Sequence, residues 1–453
     1  MRCSALLSAL LLFLLAGTGC QPAAEPAPHA PPNIIFIMAD DLGYGDLGSY
    51  GQAEIPTRAL DRMAAEGMRF TDAYAGSPVC APSRSVLMTG RHTGHTTVRG
   101  NFSAIPVPEL PNPRRIPLRA EDVTVAEVLK QAGYVTGMFG KWGLGEATTT
   151  GEPNAQGFDE WVGFLNQRRA HTHYPDYFWE NRDTLWLPGN QDGGRVTHTH
   201  PVFAARALDF IDRHRDTSFF LYLPFTLPHD ELAATPEAMA LVADKPWEER
   251  EKAYAAMVHM VDETVGQILD TVRSLGLAER TLVFFCSDNG AARRWEGRFN
   301  SSGPLRGRKR DMYEGGIRTP MIAWMPGNVP DGTVSDLPWT FADVLPTLAE
   351  VAGMPAPAGI DGRSVWPAVQ GQALDLGDRP LYWEFHEGGF FQAVRQGKWK
   401  GVREGLTGPL ELYDLEADPA ETTDVAAQHP AQAAALTTYL DTTRSETAYW
   451  PAR

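Results

Sequence analysis

Six separated places in the chain carry residue types that could do chemistry together. Asp40-Asp41 and Asp288-Asn289 offer three carboxylates and one amide oxygen, hard donors that suit Ca2+, with Mg2+ as the second choice, far better than a soft metal. Either pair alone reads as ordinary capping of a loop; two pairs placed after apolar runs favour an ion. Cys80-Ala81-Pro82-Ser83-Arg84 leads into Ser85–Gly90, a helix that Gly90 closes. Cys80 then lies near a helix N-terminus, where free N–H groups and the dipole favour anions, with Arg84 one turn on. Left unmodified, Cys80 would be a thiol nucleophile of depressed pKa. Lys141, His229 and Lys309 add cationic or proton-donating groups, each of which alone reads as a solvated lysine or a structural histidine. Lys309 belongs to the basic run Leu305–Arg310, and Glu314-Gly315-Gly316 after it allows a tight turn.

The elements that must position these groups are short apolar runs ending in polar residues. Ile34–Met38 precedes Asp40-Asp41, Tyr134–Phe139 precedes Gly140-Lys141, Phe219–Pro224 precedes His229, and Leu282–Cys286 precedes Asp288-Asn289. Each reads as a buried parallel strand. Helical periods lie between them, over Pro56–Gly67 (with Thr57 as N-cap and Gly67 as stop), Val123–Ala132 and Ala253–Leu275. Alternating strands and helices predict an α/β fold with a mostly parallel sheet between helices, and ligands of such sheets gather at the carboxyl ends of the strands. After residue 360 the pattern changes to short antiparallel strands over Leu381–Phe385, Phe391–Arg395, Lys398–Arg403 and Glu411–Asp414, followed by a helix over Pro430–Thr443. The expected organisation is therefore a catalytic domain over 33–360 and a smaller α+β subdomain over 361–453.

These motifs together resemble a type I sulfatase of the arylsulfatase family, within the alkaline-phosphatase-like superfamily. The resemblance runs from Asn33 to Leu412-Tyr413-Asp414-Leu415, and Cys80-x-Pro82-Ser83-Arg84 followed by Leu87–Arg91 is its most specific element. It implies that Cys80 is oxidised to Cα-formylglycine by a formylglycine-generating enzyme. It also implies a Ca2+ site built from Asp40, Asp41, Asp288, Asn289 and residue 80. Arg84, Lys141, His229 and Lys309 become sulfate-binding and proton-transfer groups. In the implied mechanism one hydroxyl of the hydrated aldehyde attacks sulfur, and the second expels sulfate. One departure stands out: the family commonly reads Gly-Lys-Trp-His-Leu-Gly where this chain has Gly140-Lys141-Trp142-Gly143-Leu144-Gly145. Gly143 can do no proton chemistry, and His92 or His95 would be the candidates to replace the missing histidine.

The implied reaction is hydrolysis of a sulfuric ester. Asn166–His171 and Tyr174–Trp179, rich in groups that hydrogen-bond and stack, point to a sulfated carbohydrate, and His386-Glu387-Gly388-Gly389 could reach over the pocket. The alternatives are a formylglycine-dependent phosphonate or phosphate monoester hydrolase, and a glycan-binding lipoprotein impaired at Gly143. Acidic residues exceed basic ones, 56 against 40, for a formal charge of -16, so nothing supplies the basic footprint of a nucleic-acid partner. Residues 1–20 read as a signal peptide, and Cys20 after small residues resembles a lipoprotein box. A Pro/Ala-rich tether follows over 21–32. The expected location is periplasmic, secreted, or membrane-anchored through Cys20 alone. With the leader gone only Cys80 and Cys286 remain, too few for a disulfide framework. Of the two, Cys286 reads as a buried strand residue and Cys80 as the more exposed.

Overall fold

The computed structural model describes residues 31–452 apart from Glu296; the leader, Cys20 and residues 21–30 of the tether lie outside the described residues. Among those described, ten strands form one sheet. From edge to edge they are Thr333–Ser335, Met68–Phe70, Met321–Trp324, Thr281–Ser287, Asn33–Ala39, Phe219–Pro224, Val135–Lys141, Glu160–Phe164, Tyr177–Glu180 and Asp183–Trp186. The five from Thr281–Ser287 to Glu160–Phe164 run parallel, and antiparallel strands flank them on both sides. This is the large, mostly parallel sheet of an alkaline-phosphatase-like α/β fold.

Side chains alternate across a strand, and the central runs use both faces. Ile35, Ile37, Leu221, Leu223, Val283 and Phe285 enter one core, while Ile34, Phe36, Phe220, Tyr222, Leu282 and Phe284 enter the other. Continuous apolar runs are therefore required here, because neither face meets water. On the first face lie helices Arg58–Ala65, Thr199–Arg213 and Glu249–Ser274; on the second lie Cys80–Thr89, Val125–Gln131 and Val344–Val351. Thr124 and Glu127 close a capping box on Val125–Gln131. Cys286 belongs to the second core and is fully buried.

Two local expectations change. Thr57 stands at the N-cap of Arg58–Ala65, but its hydroxyl accepts from the Gly48 N–H and donates to Asp61 instead of capping the helix. Gly67 is not the helix stop, which falls at Glu66. It is glycine because a Cβ there would stand 2.2 Å from the Ala323 carbonyl oxygen.

A four-stranded antiparallel sheet, Leu381–Phe385, Phe391–Gln396, Trp399–Glu404 and Leu410–Asp414, packs with helix Pro430–Thr442 on its outer face. Its inner face shares a core with Tyr74, Val79, Met312 and Ile317, residues that flank Cys80 and Lys309 in sequence. No helix among the described residues is long and apolar enough to cross a membrane.

Candidate active site

The register of the central strands brings the sequence-predicted residues to one place. Ala39 lies opposite Ser287, and Met38 opposite both Cys286 and Pro224, so Asp40, Asp288 and the turn to His229 leave the sheet side by side. Consecutive strand residues would point to opposite faces. Asp41 breaks that alternation with a φ of +64°, a left-handed conformation that costs most residues about 1–2 kcal/mol and that aspartate tolerates better. One ligand atom from each of Asp40, Asp41, Cys80 and His229 then lies within 4.8 Å of all the others.

Cys80 is the first residue of its helix, and Pro82 in the first turn forfeits no helical hydrogen bond. The Ala81 N–H donates to Asn101 Oδ1 at 3.1 Å. Arg84, one turn on and buried, donates to Asp288 Oδ2 at 2.7 and 3.2 Å and to the Lys141 carbonyl at 2.5 Å. Lys141 Nζ donates to Asp40 Oδ2 at 2.6 Å. Lys309 Nζ donates to both oxygens of Asp41 at 2.7 Å and lies 3.6 Å from the Cys80 sulfur. His229 donates from Nδ1 to the Asp230 carbonyl, which leaves Nε2 3.2 Å from Lys309 Nζ and 3.3 Å from Asp41 Oδ2.

The electrostatics correct one expectation. Cys80 is only 2% exposed, and burial pushes its thiol up to about 12 despite Lys141 and Lys309. The helix terminus does not overcome that desolvation. An unmodified Cys80 is therefore a protonated thiol, not an activated nucleophile, and Cys286 is scarcely more buried. Burial also penalises Asp40, yet Lys141, His229, Arg84 and Lys309 reverse the effect and hold its carboxyl well below the usual range. Burial and the neighbouring Asp40 push Asp288 up to about 6 in spite of Arg84. Burial lowers the His229 pKa, partly offset by Asp41, which biases the ring toward neutrality.

The donor set fits a hard divalent cation. Asn289 donates from Nδ2 to Asp41 Oδ1 at 2.7 Å, while its Oδ1 is buried with no hydrogen-bond partner. A buried acceptor left without a donor beside two carboxylates is the feature an oxygen-ligated ion would satisfy.

Other expectations are redistributed. His92 and His95 lie beyond Thr89, at the far end of the ten-residue helix that starts at Cys80, about 15 Å along its axis. They stack on each other and bind Asp361, so neither replaces the missing histidine. At Gly143 (φ +86°) a Cβ would stand 2.2 Å from Gln167 Nε2, so the Gln167 amide fills the space a side chain there would enter. Both polar atoms of that amide are buried without partners. Glu387 does not lie free over the pocket: it accepts from the Asn101 N–H at 2.8 Å and from Arg310 at 2.6 Å, and His386 turns onto Glu384. Sequence reasoning missed Asn101, and with it the role of Glu387, because only tertiary contact brings Asn101 to Ala81 and Glu387 to Asn101. A cavity of about 1070 Å3 lies elsewhere; its Asp72, Arg318 and Arg395 neutralise one another.

Known proteins resemble this chain in sequence and fold. The sulfatase family model matches residues 32–354, and the model for the C-terminal region of N-sulphoglucosamine sulphohydrolase matches 308–446. The chain belongs to the sulfatase family. N-acetylgalactosamine-6-sulfatase of Canis lupus familiaris is 36% identical over 408 residues, covering 86% of this chain and 74% of that protein. Arylsulfatase A of Homo sapiens is 33% identical over 451 residues, covering 88% and 84%. Ps i-CgsB in complex with k-i-k-neocarrahexaose superposes with a TM-score of 0.80 at 28% identity, covering 93% of this chain and 95% of that one. This family membership makes the protein a sulfatase, an enzyme that hydrolyses sulfuric esters.

Proposed function

We propose that the enzyme releases inorganic sulfate from a sulfated carbohydrate, using a Cα-formylglycine formed from Cys80 and a Ca2+ ion held by Asp40, Asp41, Asp288, Asn289 and residue 80. The observation that carries this reading is the pairing of a buried, protonated Cys80 with the unpartnered Asn289 oxygen beside Asp40 and Asp41. A thiol pushed up to about 12 is a poor nucleophile at neutral pH, whereas its surroundings are built for an ionised oxygen near a cation.

A formylglycine hydrate at residue 80 would supply one hydroxyl for attack and a second for sulfate release, and the cation would supply charge to keep the attacking oxygen ionised. The chain's own side chains do the rest. Lys141 and Lys309 hold two ammonium groups in a buried setting, where they stabilise negative charge more than they would in water. Arg84, fixed on Asp288, orients the strand ends around residue 80. His229, with its Nδ1–H committed to a carbonyl, presents a bare Nε2 beside Lys309, and the Lys309 ammonium is the group whose proton can reach the leaving oxygen, directly or through Nε2.

The carbohydrate reading is supported by relatives whose names specify a sulfated amino sugar and by a neighbour in complex with k-i-k-neocarrahexaose. Export through the N-terminal leader, with the lipid anchor at Cys20, is part of the same proposal, as are the catalytic domain over 33–360 and the subdomain over 361–453. Ion chromatography of products from paired 4-methylumbelliferyl sulfate and phosphate, together with N-acetylgalactosamine 6-sulfate, tests the reading. Sulfate release with little phosphate release is expected. Preference for the phosphate ester would favour a phosphate or phosphonate monoester hydrolase, and retained sugar binding with no release would favour a glycan-binding protein.

A further inference from the structure

A cleft of about 760 Å3 adjoins the site, within the roughly 300–1,000 Å3 usual for ligand clefts. Two contacts tie it to the reacting groups. His171 on its wall stacks on His229 with ring centroids 4.0 Å apart. Phe102, also on its wall, follows Asn101, which binds the backbone next to Cys80.

Arg114, Arg115, Arg168 and Arg169 all line this cleft. In a chain of formal charge -16 such a concentration of guanidinium groups is a local reversal. Carboxylates do not account for it. Asp230 on the same wall is taken by Arg294, and Asp176 and Glu231 form no ion pair with any of the four. The Arg168 side chain has no ion-pair or hydrogen-bond partner among the described residues. Arg115 has only Glu146, at 3.9 Å, and lies over the Phe102 ring. Arg169 lies over the Tyr177 ring, 3.9 Å from its centroid, and Arg114 donates to the Ser103 carbonyl. Burial, only partly relieved by Glu146, lowers the Arg115 pKa, and the neighbouring Arg168 lowers it further. Arg115 and Arg168, held near one another against their repulsion and with the Arg168 fork uncommitted, match a sulfate or carboxylate bound in bidentate fashion.

Resting on the sulfatase reading, we propose that the substrate carries a second anionic group, a sulfate or a uronate carboxylate, beside the ester that is cleaved. Arg168, with Arg115 beside it, binds that group and so sets specificity. The first anion goes to the lysines around Cys80, and the second goes to the arginine cleft.

The test compares wild type, Arg168→Ala and Arg168→Lys on four probes. These are 4-methylumbelliferyl sulfate, N-acetylgalactosamine 6-sulfate, N-acetylgalactosamine 4,6-disulfate and a 6-sulfated chondroitin disaccharide carrying glucuronate. For wild type, kcat/KM on at least one two-anion sugar should exceed that on the monosulfate about ten- to a hundredfold, the range of a hydrogen bond to a charged group. Arg168→Ala should erase that preference while leaving 4-methylumbelliferyl sulfate turnover within about twofold, and the lysine variant should recover it only partly. Which two-anion sugar is preferred tells sulfate from carboxylate. Calorimetric titration of the same sugars into Ca2+-loaded Cys80→Ala, with and without Arg168→Ala, separates this inference from the one beneath it. Tighter binding of a two-anion sugar that depends on Arg168, with no sulfate released by the wild type, would uphold the arginine cleft and sink the proposed activity. Equal affinity for one- and two-anion sugars, or indifference to Arg168→Ala, would overturn the cleft even if the enzyme cleaves sulfate esters.

Discussion

Two buried clusters of charge can be set side by side in this molecule. One is the site at the strand ends, with Asp40, Asp41 and Asp288 among Arg84, Lys141 and Lys309. The other is the seam to the C-terminal sheet, with Asp72, Glu314 and Glu421 among Arg318, Arg395 and Lys400. Both match acids to bases, and both split their carboxyls. In the site Asp40 is held low while Asp288 is pushed up to about 6. In the seam the ion pairs with Lys400 and Arg318, with the nearby Arg395 charge, outweigh burial and hold Glu314 at about 2, while burial pushes Glu421 up to about 7. Perturbed carboxyls alone therefore do not distinguish a reactive site from a structural one. What differs is completeness. In the seam Glu314 is bound by Tyr74, Arg318 and Lys400, and Glu421 by Lys400 and the Glu314 N–H. In the site the Asn289 oxygen has no partner, a thiol stands between two lysines, and an arginine-lined cleft opens beside His229.

The comparison can be broken from either side. Cys80→Ala should lower kcat on 4-methylumbelliferyl sulfate by roughly 10⁴- to 10⁶-fold, as loss of a nucleophile does elsewhere, with little change in Tm. Lys400→Met should do the opposite. Leaving Glu314 and Glu421 buried without their cation should cost about 3–5 kcal/mol in urea unfolding, while kcat/KM per folded molecule stays the same. A large activity loss in the second variant would erase the distinction between the clusters.

Chelation sharpens it further. An ion present at 100 times its Kd stabilises by about 2.7 kcal/mol, so EDTA should lower Tm and abolish activity, and Ca2+ should restore both. The same loss in Tm is expected for Lys400→Met, whose ion site is intact. The smallest effect concerns pH. Glu421 is raised from 4.5 to about 7 in the folded chain; the native state then binds the proton more tightly than the unfolded state, so stability falls as pH rises across that window. Glu421→Gln should flatten this part of the stability profile without altering the pH dependence of kcat. A profile unchanged by the substitution would contradict the assignment.

Much of the site was legible because it lies at strand ends. Apolar runs long enough to be buried on both faces mark the central strands, and the residues just past them cannot be anywhere but the sheet's carboxyl edge. That reasoning brought Asp40, Lys141, His229 and Asp288 together correctly. It failed where a side chain's surroundings come from distant chain. The Cys80 thiol is raised because ten helix residues are buried on every side, a property no local motif displays. His92 and His95 follow the nucleophile closely in sequence, yet a helix carries them to its other end. Gln167 reaches Gly143 because the parallel strands before them pair side by side, Lys141 opposite Phe164, a register that no local motif displays.

The central claim concerns the chemical state of residue 80, and mass spectrometry of the peptide containing it, from protein made in its native host, tests that claim most directly. Loss of the sulfur with gain of an aldehyde oxygen, trapped by a hydrazide, is the expected result. An unmodified cysteine in protein that nonetheless turns over sulfate esters would contradict the account.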